Sequence, residues 1–481
     1  MRLRPVLSVT GLLTCVFSIT LAPPIVISWY YHDGETHNLM VTFLMILGAG
    51  AGMWLLNHRA PPSIRRQEGF LIVALFWLML GGLGALPLML SLDLGFVDAL
   101  FESVSGLTTT GATVLQGLDF MHPSILFYRQ EIQWFGGMGL VVLAVAILPV
   151  LGIGGMSLYR AEIPGPMKDE KMTPRLSSGT RNLWLLYVAI TAACALAYWM
   201  AGMTPFEAVA HSFTTVSTGG FSTHDASLAY FQNPVIEVIA IVFMLAGAIN
   251  FGVHFAALQG RSLRPYWRDV EVRGFLGFVA LATVLITAGL WYSHYYGGVL
   301  SDLRNAVFEV VSVITSTGFG TVDFNAWPLV WPTLLIAISF IGGCGGSTAG
   351  GMKVLRVLIL FRLGYRELIR LRHPKGVFLV KINGRTVPER TLQSVLGFFS
   401  VYVASFVALM LGMMATGLDQ VSAYSAVATC INNLGPGMGE VSQSFASVSD
   451  AGKLLSVLAM LLGRLEIFSV LVLLHPGFWR S

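Results

Sequence analysis

The chain has 481 residues, of which 55% are hydrophobic and only 11% are charged, and its mean hydropathy is +0.72. Apolar runs close to the length of about 20 residues that crosses a bilayer recur throughout it. This composition argues against a soluble protein and predicts an all-α polytopic membrane protein. The net charge of +4 reflects membrane topology, so no nucleic acid partner is expected.

The first apolar run follows the basic start MRLR and extends to about Tyr30. A basic start before an apolar stretch is also typical of a secretory signal, but this run is too long for one and no small-x-small cleavage site follows it. We therefore expect a retained transmembrane helix.

Ten apolar stretches predict full membrane spans. They lie near residues 5–30, 39–56, 70–90, 126–157, 182–202, 234–258, 274–293, 327–360 (interrupted), 391–416 and 454–474. Lys and Arg accumulate on the cytoplasmic side of membrane proteins. Of the 29 basic residues, 25 lie at the N-terminus, around 59–66, 160–181, 261–273 and 353–390, and at Arg480, whereas the opposite side holds Arg129, Arg304 and Lys453. Both termini are therefore expected in the cytoplasm.

The four cysteines lie in apolar or pore-like stretches and show neither CxxC nor Cys/His spacing. They are Cys15, Cys194, Cys344 and Cys430. This pattern predicts neither a disulfide framework nor a zinc site, and it favours small core residues.

A fourfold repeat organises the chain. Four half-length apolar segments, each on the outer side between two spans, end in a polar turn with a glycine. They are FESVSGLTTTG (101–111), AHSFTTVSTGG (210–220), FEVVSVITSTG (308–318) and SAVATCINNLG (425–435). Aligned without gaps, each has Leu, Val or Ile four residues before the last glycine and polar residues three and two before it.

The last glycines of these segments are 109, 98 and 117 residues apart, a period that indicates repeated supersecondary units. We expect a two-helix N-terminal unit and four repeats of span, pore loop and span around one pore. The boundaries are 1–66 for the N-terminal unit, then 67–176, 177–268, 269–386 and 387–481 for the repeats.

A single segment of this kind is typical of a re-entrant or interfacial turn. Each is too short to span, so each is expected to enter the membrane as a half helix and return as extended backbone. Lipid cannot satisfy the N–H and C=O groups of such backbone, which is tolerated only where it is buried in protein or lines a watery cavity. Four copies therefore predict one shared aqueous axis.

The residue types in the four segments suit a monovalent cation. Rings of backbone carbonyls can replace the water of such an ion, and glycine permits the φ/ψ values that aim carbonyls the same way. Each half helix also points its C-terminal end, which carries about half a negative charge, toward the loop. The segments contain no Lys or Arg, and their acids, Glu102 and Glu309, are expected to be hydrogen-bonded helix residues rather than ion ligands.

The loop endings TTTGAT, STGGFST, STGFG and NNLGPG closely resemble those of the TrkH-type potassium uptake subunit of the Trk/Ktr/HKT superfamily. YRAEIPGPMKDEKM, IGGCGGST and GRLEIF extend the resemblance over essentially the whole chain. It implies a non-enzymatic protein that takes up potassium across the bacterial inner membrane through a channel-like filter, without an organic cofactor. It also implies a homodimer and a cytoplasmic TrkA-type nucleotide-binding regulatory subunit. The alternative is a secondary transporter that couples potassium to proton or sodium movement.

The resemblance also assigns the potassium ligands of the selectivity filter. They are Thr109, Thr110, Gly111, Thr218, Gly219, Gly220, Ser316, Thr317, Gly318, Asn433, Leu434 and Gly435. In the second copy two glycines compete, and the alignment on Thr218 favours Gly220 as the filter glycine. The residues after the four glycines differ from one another, which predicts fewer well-formed ion sites than in a tetrameric channel.

The stretch IGGCGGSTAGGMK has six glycines within ten residues and predicts a broken helix. Close helix packing is the alternative for glycines in membrane helices. The resemblance implies an intramembrane gating loop below the filter. Its residues are Gly342, Gly343, Gly345, Gly346, Ser347, Thr348, Gly350 and Gly351.

Arg464 is the basic residue inside a predicted span, 29 residues after Gly435. The corresponding helices place Gly136, Gly247 and Gly342 at 25, 27 and 24 residues after their own glycines, so the arginine is expected at the depth of those glycines. Such a charge usually faces the protein interior or a watery cavity. It forms either a barrier in the pore or a structural ion pair, for which Glu466 is a poor partner.

The stretch FRLGYRELIRLRHPKGVFLVKINGRTVPER combines a basic helix with strand-like VFLVKI and an Asn383-Gly384 turn. It indicates either lipid headgroup contact or the docking of a partner.

An intramembrane enzyme is disfavoured because the histidines, such as His211 at the position of Glu102 and Glu309, form no convergent catalytic set. A carrier of an organic solute would more naturally show two inverted repeats.

Overall fold

A computed structural model describes residues 2–58, 65–139, 176–328 and 330–479. Within these ranges six helices are long and apolar enough to cross a membrane, and two bent helix pairs raise that number to eight. The prediction of a polytopic all-α membrane protein is confirmed. The span predicted at 126–157 lies partly outside the described residues, and the loop YRAEIPGPMKDEKM lies wholly outside them.

Two antiparallel helices form the N-terminal unit. Their bounds are Leu3–Ser18, continued through a 3₁₀ turn by Ala22–Tyr31, and Thr36–Asn57. A Cβ added to Gly11 would lie 2.8 Å from Gly50 O, so the two helices touch backbone to backbone. Small residues permit this close approach in membrane helices.

Each repeat has an outer helix, a half-length pore helix whose C-terminal part is buried, and an inner helix. The outer helices are Arg66–Gly84 with Leu86–Leu92, Leu176–Met200, Val270–Tyr292 and Glu389–Ala415. The pore helices, numbered first to fourth below, are Phe96–Leu107, Pro205–Val216, Val299–Ile314 and Gln420–Ile431. The inner helices begin with Pro123–Trp134, Pro234–Ala248, Trp331–Ile338 and Asp450–Arg464.

The four repeats close into a ring. The inner helix of each repeat contacts the pore helix of the next repeat, and the inner helix of the fourth repeat contacts the first pore helix. The apolar core follows the same order, because one buried cluster joins the N-terminal unit with the first and fourth repeats and another joins the second and third. The ends of the pore helices therefore converge on one axis.

The inner helices break below the pore helices. Pro234–Ala248 meets Phe251–Gln259 at 98°, and Asp450–Arg464 meets Phe468–Leu474 at 113°. In the third repeat, Trp331–Ile338 and Val354–Arg372 flank the glycine-rich loop. The predicted break at that loop is confirmed, and the helices in the spans predicted at 234–258 and 454–474 are also bent, which the sequence did not predict. The side chain of Asn250 accepts the Gly252 N–H and so starts a new helix, a signal that the apolar composition hides.

The predicted hairpin after the basic helix is present but short. Strands Lys381–Ile382 and Arg385–Thr386 pair antiparallel, with Ile382 opposite Arg385. Asn383 and Gly384 both have positive φ, as a two-residue type I′ turn requires. Pro476–Trp479 follows the last broken helix.

Candidate functional site

The four pore helices end in the predicted register. Each ends four residues before the glycine on which the segments align. The last helical residues are Leu107, Val216, Ile314 and Ile431. Thr204 and Asp419 cap the second and fourth helices through their side chains, and the third helix is longer than the others, 16 residues against 12. The apolar periodicity and the polar turn together determine these ends.

All four helices end in the same hydrogen-bonded turn. One residue before each glycine, the backbone N–H donates over 2.8 Å to the carbonyl five residues earlier, as in Thr110 N–H to Ser105 O. The preceding N–H donates to the carbonyl three residues earlier, as in Thr109 N–H to Gly106 O at 3.0 Å. This is the Schellman motif, whose C′ residue is left-handed. Here that residue is polar rather than glycine, with φ of 53° to 55° at Thr109, Thr218, Ser316 and Asn433.

The glycines that close the turns also have positive φ. The values are 79° at Gly111, 79° at Gly220, 82° at Gly318 and 96° at Gly435. We call these four the filter glycines, and residues 109–111, 218–220, 316–318 and 433–435 the filter loops. The assignment of Gly220 over Gly219 by alignment agrees with the backbone, because Gly219 is not among the residues with positive φ.

The filter glycines meet carbonyls of neighbouring repeats in cyclic order. A Cβ added to Gly111 would lie 2.1 Å from Gly219 O, and one added to Gly220 would lie 1.9 Å from Thr317 O. A Cβ on Gly318 would lie 2.0 Å from Leu434 O, and one on Gly435 would lie 2.7 Å from Thr110 O. In every loop the carbonyl belongs to the residue before the filter glycine, and any side chain at the glycine would collide with it. The four loops therefore contact one another in a closed ring.

The chemistry of this ring suits a cation. Positive φ at alternate residues turns the peptide planes so that oxygens can face a common side, and carbonyl rings replace the hydration of a monovalent cation. The negative ends of the four helix dipoles point at the same place. The filter loops themselves contribute no charged side chain.

Polar side chains of the pore helices hold the segment after each filter glycine. Glu102 accepts the Val114 N–H at 3.0 Å, and Glu309 accepts the Thr321 N–H at 2.9 Å. Both glutamates are buried, so the prediction that they are hydrogen-bonded helix residues is confirmed. At the same register His211 bonds Ser222, and in the fourth helix Ser425 accepts the Met438 N–H.

Arg129 and Gln133 lie behind the filter loops, whereas the sequence predicted Arg129 only as a charge on the outer side. Arg129 pairs with Glu102 at 2.7 Å, with both side chains buried. Gln133 contacts the second filter loop. Both lie in YRQEIQW (128–134), where four polar side chains interrupt an apolar span. That density of polar residues was the signal available in the sequence.

The glycine-rich loop lies directly against the filter on the side of the helix C-termini. Thr348 Oγ1 donates to Val216 O and Gly247 O at 3.0 Å, and it accepts from Thr218 Oγ1 at 3.2 Å. The Gly350 N–H donates to Ser316 Oγ at 2.5 Å. Two of the four left-handed polar residues, Thr218 and Ser316, are thus hydrogen-bonded to this loop.

Arg464, from the fourth repeat, contacts both the first filter loop and the glycine-rich loop. Its guanidinium donates to Thr109 Oγ1 at 3.2 Å, to Thr348 O at 3.0 Å, and to the carbonyls of Gly136 and Gly137. Glu466 instead pairs with Arg356 at 2.8 Å, as expected for a poor partner of Arg464.

The predicted equivalence of Arg464 with the glycines of the other inner helices is one residue off. A Cβ on Gly136, Gly247 or Gly463 would lie 1.9, 2.7 or 2.1 Å from the last carbonyl of its own pore helix. Gly463 is therefore the equivalent residue, because close contact with the pore helix leaves no room for a side chain there. Arg464 follows it and turns toward the axis.

On the outer face His224 joins the first two repeats. Its Nδ1 lies 2.5 Å from Asp119 Oδ1 and its Nε2 lies 3.1 Å from Glu207 Oε1. Burial disfavours the charged imidazole, but the hydrogen bonds to Glu207 and Asp119 outweigh it and raise the pKa of His224. The bond from His224 likewise lowers the pKa of Glu207 to about 2 and lowers the pKa of Asp119.

Comparison with known proteins covers the whole chain. A family model described as "TrkH: Cation transport protein" matches residues 35–479. The chain is 50% identical to the Trk system potassium uptake protein TrkH of Salmonella typhimurium, over 100% of both sequences. It is 39% identical to the Trk system potassium uptake protein TrkG of Escherichia coli, over 100% of this chain and 99% of the relative. The crystal structure of the potassium transporter TrkH from Vibrio parahaemolyticus matches with a TM-score of 0.91 and 47% identity, over 100% of both chains.

Proposed function

Since the chain belongs to the TrkH family of cation transport proteins, we propose that it takes up potassium through the axis enclosed by its four filter loops. The relatives described above are named as potassium uptake proteins, which supports the choice of ion. The cyclic contact of each filter glycine with a carbonyl of a neighbouring repeat carries the proposal. It supports the twelve filter residues as a set of backbone ligands on one axis.

The ion is bound by oxygen alone in this proposal. Carbonyls of four non-identical loops replace its hydration shell, and the helix dipoles favour positive charge without the tight binding of a carboxylate. Because the four loops differ in sequence, the sites are less regular than in a fourfold symmetric filter. We expect potassium to be preferred over sodium, with a lower preference than a symmetric ring would give.

Control of the flux belongs to the glycine-rich loop and Arg464. Both lie below the filter, where they close the axis between the filter and the cytoplasmic side. We further propose that the protein acts as a homodimer in the bacterial inner membrane with both termini in the cytoplasm. A nucleotide-binding regulatory subunit docks on the basic helix Val354–Arg372, which exposes Tyr365, Leu368 and Leu371, and moves the loop.

Rubidium uptake into proteoliposomes under an imposed voltage tests the proposal. We expect uptake that follows the voltage and is inhibited by potassium more than by sodium. Gly318→Ser should reduce it about tenfold or more, because a left-handed backbone disfavours a side chain and the new Cβ collides with Leu434 O. Gly111→Ser, Gly220→Ser and Gly435→Ser should act alike.

Unchanged uptake and ion preference in all four serine variants would overturn the filter assignment. Uptake that depends on a proton or sodium gradient rather than on voltage would replace the channel-like pore with coupled transport. Gly34→Ser is the matched control, because Gly34 also has positive φ but no atom lies within 4 Å of its added Cβ.

A further inference from the structure

The inner helix Pro123–Trp134 carries two buried polar side chains, one helical turn apart, that face the filter from behind. Arg129 and Gln133 stand at positions i and i+4, which lie on the same face of a helix. Both are fully buried. Gln133 contacts the filter loop of the next repeat, and Arg129 contacts the segments that follow the first and second filter loops.

Gln133 makes two hydrogen bonds to the second filter loop. Its Nε2 donates to Gly219 O at 2.8 Å, and its Oε1 accepts the Phe221 N–H at 3.0 Å. The amide therefore spans the filter glycine Gly220, with one bond on either side of it. Because these bonds involve the residues before and after Gly220, they fix the orientation of the peptide planes on both sides of it.

Gln133 also explains the glycine at position 219. Gly219 does not have positive φ, so its backbone conformation does not call for glycine. The other three loops have Thr110, Thr317 and Leu434 at this position. A Cβ on Gly219 would lie 2.5 Å from Gln133 Oε1 and 2.6 Å from its Cδ. The amide of Gln133 thus fills the space that the side chain of residue 219 would occupy.

Arg129 supports the same loop one turn away. Its guanidinium lies 4.3 Å above the ring of Phe221, and its Nη1 donates to Ser222 O at 3.4 Å. Through Glu102 it also holds Thr113 and Val114 after the first filter glycine. This one helix therefore links the filter loops of the first and second repeats.

The arrangement is asymmetric around the axis. Gly136, Gly247 and Gly463 make equivalent contacts with their own pore helices, so the residues three positions earlier are also equivalent. They are Gln133, Met244 and Met460, and both methionines are fully buried. A thioether has no N–H to donate to a carbonyl. In the second and fourth repeats this position therefore cannot reproduce the two bonds of Gln133.

We propose that Gln133 is a positioning residue for ion selectivity, which holds the second filter loop by filling the space left by Gly219 and bonding the backbone on both sides of Gly220. The proposal rests on the proposed function and adds a determinant of its specificity. Sodium is smaller than potassium, so carbonyls must move inward to coordinate it. A loop held from behind resists that movement, and discrimination by a carbonyl ring depends on such resistance or on the number of carbonyls aimed at the ion.

The test compares single and paired variants in proteoliposomes, with rubidium uptake measured against potassium and sodium as competitors. Gln133→Met removes both hydrogen bonds at similar volume. We expect folded protein with a potassium over sodium preference reduced about fivefold, as the loss of one or two net hydrogen bonds predicts. Met244→Leu at the equivalent position of the second repeat is the control and should keep the preference.

A paired variant tests the match between Gln133 and Gly219. Gly219→Ala alone should reduce uptake strongly, because its methyl group meets the amide of Gln133. Combining it with Gln133→Ala should restore uptake to the level of Gln133→Ala alone, since the methyl group then enters the vacated space. A merely structural role predicts the same recovery of folded protein in the paired variant, with a lower melting temperature in the single variants and no change of preference.

An unchanged preference in Gln133→Met, or additive losses in the paired variant, would overturn the proposal. Gly318→Ser in the same assay separates this result from a failure of the proposed function. If Gly318→Ser alters uptake while Gln133→Met leaves preference unchanged, only the role of Gln133 is lost. If neither variant changes uptake or preference, the filter assignment is lost as well.

Discussion

At the residue scale, Arg464 places a positive charge below the filter, held by carbonyls of the first and third repeats and by a filter hydroxyl. At a separation of about 8 Å and an effective dielectric constant of about 20, two unit charges repel by about 2 kcal/mol. Arg464→Ala should therefore raise basal rubidium flux about tenfold or more in proteoliposomes without the regulatory subunit. Arg464→Lys, which retains the charge, is the matched control and should stay near the wild-type flux.

A different outcome would assign Arg464 to structure alone. Its bonds to Gly136 and Gly137 also tie the fourth repeat to the first. If Arg464→Ala lowers the melting temperature and the yield of folded protein without any gain of flux, the barrier role is contradicted.

His224 gives the outer face a pH dependence with a defined sign. Its pKa is raised in the folded protein, so its contribution to stability is fully present below its unfolded pKa of about 6.5 and is lost as pH rises through the folded value. Glu207, with a folded pKa of about 2, contributes above its unfolded pKa of about 4.3 and loses that contribution as pH falls toward 2. The cluster therefore stabilises the protein most between these limits.

Melting temperatures in detergent across the pH range should show this dependence. The wild type is expected to lose stability relative to His224→Gln, which cannot titrate, as pH rises above about 6.5. His58→Gln, which replaces an exposed histidine elsewhere, is the control and should keep the wild-type slope. Parallel curves for the wild type and His224→Gln would rule out a charged His224 as the link between the two carboxylates.

At the element scale, the glycine-rich loop is held by hydrogen bonds to the second, third and fourth repeats. Thr348 bonds the second repeat, the Gly350 N–H bonds the third filter loop, and the Gly345 N–H bonds Glu271. Left-handed backbone at Gly342, Gly346 and Gly351 lets the chain cross below the filter without forming a helix. An element held by polar contacts to other repeats, rather than by the bonds of a continuous helix, can exchange those contacts and have two positions, as a gate requires.

Deletion of residues 345–350 should raise basal rubidium flux about tenfold or more and weaken its dependence on the regulatory subunit, because the barrier below the filter is then missing. Thr348→Val is the milder comparison, since it removes only the hydroxyl bonds and should raise flux less. Unchanged flux in a folded, membrane-inserted deletion variant would leave close helix packing as the function of the glycines.

At the scale of the whole molecule, ion binding should stabilise the ring, because the four loops that hold the ion come from four repeats. A ligand that binds only the folded state at 100 times its dissociation constant adds about 2.7 kcal/mol to the free energy of unfolding. The melting temperature in detergent should therefore rise with potassium or rubidium, less with sodium, and not with choline. Gly318→Ser should lose most of this rise.

Equal effects of potassium, sodium and choline at constant ionic strength would contradict selective binding in the filter. Gly34→Ser serves again as the control, since Gly34 lies far in sequence from every filter loop and should retain the response to potassium.

Local sequence patterns predicted those parts of the site that depend only on residues close together in the chain. The gapless alignment of four half-length apolar segments on their last glycines predicts a common register, and the four helices end at the same place in that alignment. The burial and hydrogen bonding of Glu102 and Glu309 follow from their place on those helices. The break at the glycine-rich loop follows from six glycines in one short stretch, and the hairpin follows from Asn383-Gly384.

Only the tertiary structure decided which repeats meet and what lies behind the filter. The pairing of Gln133 with Gly219 joins residues 86 apart, so no local pattern records it. The position of Gly463 rather than Arg464 against its pore helix likewise depends on contacts between elements. Helix propensity and hydrophobic periodicity depend only on residues that are close in sequence. The closed ring instead results from the packing of each inner helix on the pore helix of the next repeat.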